Sequence, residues 1–200
     1  MPHLIGTFRN ISLARCREQL AASHQALATF AQHALTQALE PSQERWGGRM
    51  KRLHVTLTDG EAERFGLGKG PHNFVEVVNQ CATIERLLDA MNWALTEGAM
   101  ADAIVAVCHA TTSSGENEND LMLVLPDGTF ANFEVSDVVG ANDSNGKEAK
   151  DLASLRRTHG GASTRSFLVT SKELGQRLAR RHRLVSNGDE TCVLEVGSSG

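Results

Sequence analysis

The sequence predicts an α/β fold, with a mixed central sheet flanked by helices behind a mostly helical N-terminal extension. Three observations carry this. From residue 73 onward, segments of helical period alternate with short apolar runs. The turn Pro126-Asp127-Gly128 separates two of those runs, which is a hairpin signal. A helix-strand-helix-strand tail then follows, as parallel pairing requires.

Taken in order, the first element is a helix over residues 11–39. Leu13, Cys16, Leu20, Leu27, Ala31, Ala34 and Ala38 recur at steps of three, four or seven. Ser12 is its expected N-cap and Pro41 marks its end. Leu53, Val55 and Leu57 alternate with polar residues and predict a short strand. The run Gly66-Leu67-Gly68-Lys69-Gly70 lacks P-loop spacing and reads as a connector. A second helix covers 73–97, with Val77, Cys81, Ile84, Leu88, Met91 and Leu95 on one face and Gly98 as its stop. Strands follow over 102–109, 120–125 and 130–138, then a helix over 147–157. A strand over 166–170, a helix over 172–183 and a strand over 192–196 complete the chain. The expected division is a helical extension over 1–72 and an α/β domain over 73–200.

The 200 residues carry a net charge of −4 and 40% apolar residues, which excludes wholesale disorder and a simple basic nucleic-acid coat. The charge is uneven. Between Asp151 and Arg183 stand Arg156, Arg157, Arg165, Lys172, Arg177, Arg180, Arg181 and Arg183 against two acidic residues, a local charge of +6. The rest of the chain therefore carries −10. A local positive field of this kind suits an anionic polymer, although a solvated charged helix would have the same composition. No run approaches the roughly 18 apolar residues of a membrane span, and residues 1–10 do not read as a signal peptide. Cys16, Cys81, Cys108 and Cys192 are scattered and read as reduced, mostly buried thiols in a cytoplasmic protein. His24 and His33 lack metal-pair spacing and read as solvated. His109 reads as a satisfied histidine at a strand end.

The hairpin carries the candidate chemistry. Asp120 opens one strand, and Asn132, Glu134 and Ser136 share one side of the next. A short turn can bring Asp120 and Glu134 together on neighbouring strands. Paired carboxylates form a hard-oxygen site suited to Mg²⁺ or Mn²⁺, which can activate water against a phosphodiester. Glu134 lies in an otherwise apolar strand, so it needs a partner or a metal.

The order helix-strand-strand-strand-helix-strand, with Asp120 and Glu134 so placed, resembles the PD-(D/E)xK nuclease superfamily. The resemblance covers residues 81–170, and Phe167-Leu-Val-Thr-Ser171 is similar to the late strand of the Mrr-like branch. It implies a restriction-endonuclease-like αβββαβ core and a Mg²⁺-dependent endonuclease acting on nucleic acid, with DNA the expected polymer. It implies Asp120 and Glu134 as metal ligands, with Glu85 assisting. It further implies a lysine two residues after the glutamate, where this chain has Ser136. Lys147 and Lys150 are the candidates to replace it from the next helix. Duplex cleavage suits two active sites, hence a homodimer. The other reading keeps the fold without catalysis, as a nucleic-acid-binding, regulatory or immunity-type interaction module.

Overall fold

The structure, a computed structural model, describes residues 7–39, 48, 74–109, 119–136, 147–155, 164–170, 175 and 191–195. The elements are β1 (Thr7–Phe8), β2 (Ile11–Ser12), α1 (Leu13–Leu39), α2 (Phe74–Thr96), β3 (Ile104–His109), β4 (Leu121–Val124), β5 (Phe130–Val135), α3 (Lys147–Leu155), β6 (Thr164–Thr170) and β7 (Thr191–Glu195). The chain gathers into two units. One comprises Met1–Thr7, Glu18–Glu85 and Ala110–Ser113; the other comprises Phe8–Arg17, Arg86–His109 and Ser114–Gly200. The expected strand over 53–57, the connector over 66–70 and the helix over 172–183 lie outside the described residues.

The first unit holds most of α1 and the first half of α2. Leu20, Leu27 and Ala31 of α1 and Val77 and Ile84 of α2 are buried there. His24 is half-buried rather than solvated, because its Nε2 lies 3.1 Å from Glu85 Oε1.

The second unit is an α/β structure around a mixed open sheet. The strand order is β1-β3-β4-β5-β6-β7, with β2 also paired to β3. β3, β4 and β5 form an antiparallel meander, whereas β6 joins β5 in parallel and β7 joins β6 in parallel. Alternation sorts the side chains. Phe133 and Phe167 share one side of the sheet, where their rings stack at 4.8 Å and Trp93 of α2 packs at 5.1 Å from Phe167. Residues of the other parity meet α3: the Ser166 hydroxyl donates to the Leu155 carbonyl at 3.1 Å. Leu152 and Leu155 are buried on that side.

Three local differences from the sequence reading have physical causes. Ile11 and Ser12 are not helical, because they pair with Val105 and Ile104. The Leu13 N–H donates to Ala103 at 3.1 Å, and Ser12 keeps its capping role through the Arg15 N–H at 3.4 Å. Along α2 the fully buried row is Val77, Ile84, Leu87, Ala90, Met91 and Ala94, while Leu88 and Leu95 sit at its border. Gly98 serves by its lack of bulk: a Cβ there would lie 2.9 Å from the Trp93 ring. The left-handed residue after α2 is Ala99, with φ of 53°.

Candidate functional site

The β4–β5 turn fixes the site. The Leu125 N–H donates to Thr129 O and the Gly128 N–H donates to Leu125 O, both at 2.9 Å. Asp127 accepts the Thr129 hydroxyl at 2.7 Å and the Thr129 N–H at 2.9 Å. The hydroxyl first, and then the N–H, hold this carboxyl below its ordinary value. Gly128 takes φ of 81°, a conformation that favours glycine. The turn sets Leu121 against Phe133 and Val124 against Phe130, so Asp120 falls opposite Glu134.

The two carboxylates are interlocked through one another's strands. Asp120 Oδ2 accepts the Val135 N–H at 2.8 Å. Glu134 Oε2 accepts the Asp120 N–H at 3.3 Å and the Asn119 side-chain amide at 3.1 Å. The same Asn119 amide donates to Ser154 Oγ of α3 at 2.9 Å. The site is therefore tied to the helix that covers it. Glu134 and Asn119 are both buried. The expectation that Glu134 needs a partner is met here by neutral donors, which is how a buried carboxylate avoids most of its desolvation cost.

His109 ends β3 beside this pair. It is buried, and its N–H donates to the Asp120 carbonyl at 2.7 Å. Cys108 beside it is fully buried, and its thiol is pushed well above its ordinary pKa. The leading cause is the hydrogen bond with Cys16, followed by burial, with the Asp120 charge adding to them.

The other expected site residues are placed as follows. Glu85 belongs to the first unit, where His24 is its ion-pair partner. Lys150 is exposed on α3, whereas Asp151, Leu152 and Leu155 are buried. At about 100° per residue, Lys150 lies roughly 150° around the helix from the centre of that buried face. Lys147 begins α3 four residues before Asp151, and its side chain lies outside the described residues. Arg165 is exposed on β6. Arg156, Arg157, Lys172, Arg177, Arg180 and Arg181 lie outside the described residues.

Three polar residues of the site were not singled out from the sequence, Asn119, Ser154 and Thr170, whereas the sequence sets Asn132 and Ser136 on the Glu134 side of their strand. Asn119 had a signal, since it immediately precedes Asp120 at the strand entry. Asn132, Ser136 and Thr170 are fully buried, and their side-chain polar atoms have no hydrogen-bond partner among the described residues.

No group of three or more His, Cys, Asp or Glu side chains able to hold a metal occurs among the described residues. The carboxylate oxygens of Asp120 and Glu134 are donors of the kind Mg²⁺ takes, an ion that keeps most of its waters and uses one or two carboxylates. A carboxylate has about four acceptor positions, so a bond from a neutral donor does not exhaust it. No helix among the described residues is long and apolar enough to cross a membrane. Comparison of the chain with protein-family models, with curated proteins and with solved structures gives no match.

Proposed function

We propose that the chain is a metal-dependent endonuclease of the PD-(D/E)xK type, with a restriction-endonuclease-like core, that hydrolyses phosphodiester bonds in DNA. The observation that carries this reading is the interlocked pair Asp120–Glu134 at the β4–β5 edge, within the element order α2-β3-β4-β5-α3-β6. Asp120 and Glu134 would hold Mg²⁺ or Mn²⁺. Such an ion supplies Lewis acidity at the phosphate and lowers the pKa of a bound water. Asn119 fixes the Glu134 carboxylate and anchors it to Ser154. Hydrolysis joins the water oxygen to phosphorus, breaks one P–O bond to a sugar and leaves the proton on the departing oxygen. Lys150 faces solvent, so Lys147 is left as the lysine to add positive charge in this reading. Arg165 and the basic segment around it would bind the phosphate backbone. Cutting both strands calls for two such sites, so a homodimer is part of the proposal.

A second reading is favoured by Ser136 in the lysine position. In it, the fold binds nucleic acid or a protein without cutting. Plasmid nicking with Mg²⁺ or Mn²⁺ separates the two. The nuclease reading requires nicking that EDTA stops and that Glu134→Gln abolishes while the fold is kept. Folded protein that retards labelled duplex but never nicks it supports the second reading.

A further inference from the structure

We infer that Ser136 and Thr170 form a two-point cradle for one water molecule beside Glu134, and that this water is the one that attacks phosphorus. The second half of the inference rests on the nuclease reading above. Ser136 follows Glu134 by two residues and so shares its side of the sheet. β5 and β6 run parallel, with Glu134 level with Leu168 and Val135 level with Val169. The Ser136 N–H donates to the Val169 carbonyl at 3.0 Å, so the ladder continues through Ser136. The next level therefore sets Ser136 beside Thr170, both on the side that carries Glu134.

Both residues are 0% exposed, and neither hydroxyl oxygen has a hydrogen-bond partner among the described residues. Buried polar groups in folded proteins are almost always bonded, to protein or to ordered water. Neighbouring strands lie about 4.8 Å apart, and the two hydroxyls do not bond each other, so one water between them can serve both. Each hydroxyl both donates and accepts, so the pair can fix a water's orientation. The place is also chemically apt. Ser136 occupies the position where the resembled family has a lysine that orients the attacking water. A hydroxyl pair can orient a water without bringing charge. Charge compensation is then left to the metal and to the basic residues.

Crystals of the wild-type protein are expected to show one ordered water within hydrogen-bond distance of both Ser136 Oγ and Thr170 Oγ1. That water should be lost in the double variant Ser136→Ala, Thr170→Val. In Mn²⁺-dependent nicking, Ser136→Ala is expected to lower kcat by about 10²-fold, the scale of a misplaced reactant. KM for DNA and the Mn²⁺ affinity should be unchanged, and Ser136→Thr should restore kcat. A purely structural serine would not give that split. Wild-type crystals without this water overturn the inference. So does full kcat in the double variant, and in that case the nuclease reading stands. A wild type that neither binds Mn²⁺ in titration nor nicks DNA overturns the nuclease reading and with it the attacking role of the water, while the crystal water decides the cradle by itself.

Discussion

Asn119→Ala removes the donor that serves Glu134 and Ser154 together. One bond goes to a carboxylate at 3.1 Å and one to a hydroxyl at 2.9 Å. A hydrogen bond to a charged group is worth about 1.5–3 kcal/mol, and one to a neutral group about 0.5–1.5 kcal/mol. Asn119 is 2% exposed, so water does not readily replace the lost donor. The expected loss of stability is about 2–4 kcal/mol, read from urea unfolding followed by tryptophan fluorescence. Asn119→Asp adds a sign. It sets a second carboxyl against Glu134, which raises the pKa of the pair in the folded state. The penalty is then full at neutral pH and shrinks as the pH falls toward the unfolded carboxylate value of about 4. Asn119→Ala therefore unfolds at much the same urea concentration relative to wild type at pH 5 and pH 7, whereas Asn119→Asp recovers on acidification. A loss below about 0.5 kcal/mol for alanine, or an aspartate penalty that does not relax with acid, would refute the assigned network.

Phe133→Ala should lose about 3–5 kcal/mol, because the ring is fully buried and touches both Phe167 and Trp93; a loss under 1 kcal/mol in urea unfolding contradicts that packing. Thr129→Val removes the hydroxyl that leads the lowering of the Asp127 pKa, so the carboxyl should titrate higher by NMR. In the wild type, any stability from this group is present above the unfolded carboxylate value and is lost as pH falls through the lower folded one; an unmoved Asp127 titration removes the turn argument. The Cys108 thiol is raised by Cys16 and by burial, and burial leads in pushing Cys81 up to about 11. Both therefore stabilise the fold below the unfolded thiol value of about 8.5, and that contribution is lost as pH rises. Thermal midpoints should fall above that pH, and iodoacetamide at pH 8 should spare both sites until unfolding, by peptide mapping. Ala99→Gly should raise stability by up to about 1 kcal/mol, because it relieves a left-handed alanine; any loss counts against that backbone assignment.

What was legible in the sequence followed local periodicity. Leu121 and Leu123 lie in a continuous apolar run, Phe133 alternates with Asn132 and Glu134, and all three are buried where the period of two expects them. Asp120 and Glu134 could be paired on paper because a short turn leaves little freedom in their register. Ser12 and Gly98 were visible as helix-end residues, although Gly98 proved to act by size. The illegible parts depend on long-range placement. Ser154 reaches Asn119 across 35 residues, and Thr170 lies beside Ser136 only through the parallel crossover. β2 is two residues long, too short to show a period. Along α2, Leu87 and Leu88 are both apolar, and packing alone decides which one is buried. Polar residues carry no comparable pattern, which is why the Asn119 amide and the Ser154 and Thr170 hydroxyls went unread.

The interlock of Asp120 and Glu134 also bears on how the two readings of this site relate. Each carboxylate accepts hydrogen from the other strand's backbone, so strand pairing helps to set their positions. Such preorganisation satisfies a condition for catalysis, since a preorganised ligand set loses little entropy on binding. It equally satisfies the requirement of a structural clamp at a strand end. What separates the readings is therefore neither carboxylate but the work of Ser136. It stands where the resembled family has a lysine, and its buried hydroxyl is without a partner among the described residues, as is that of Thr170. An ordered water would satisfy both hydroxyls in a clamp as it would in a nuclease. Only a kcat that falls in Ser136→Ala while the fold is kept belongs to the nuclease alone.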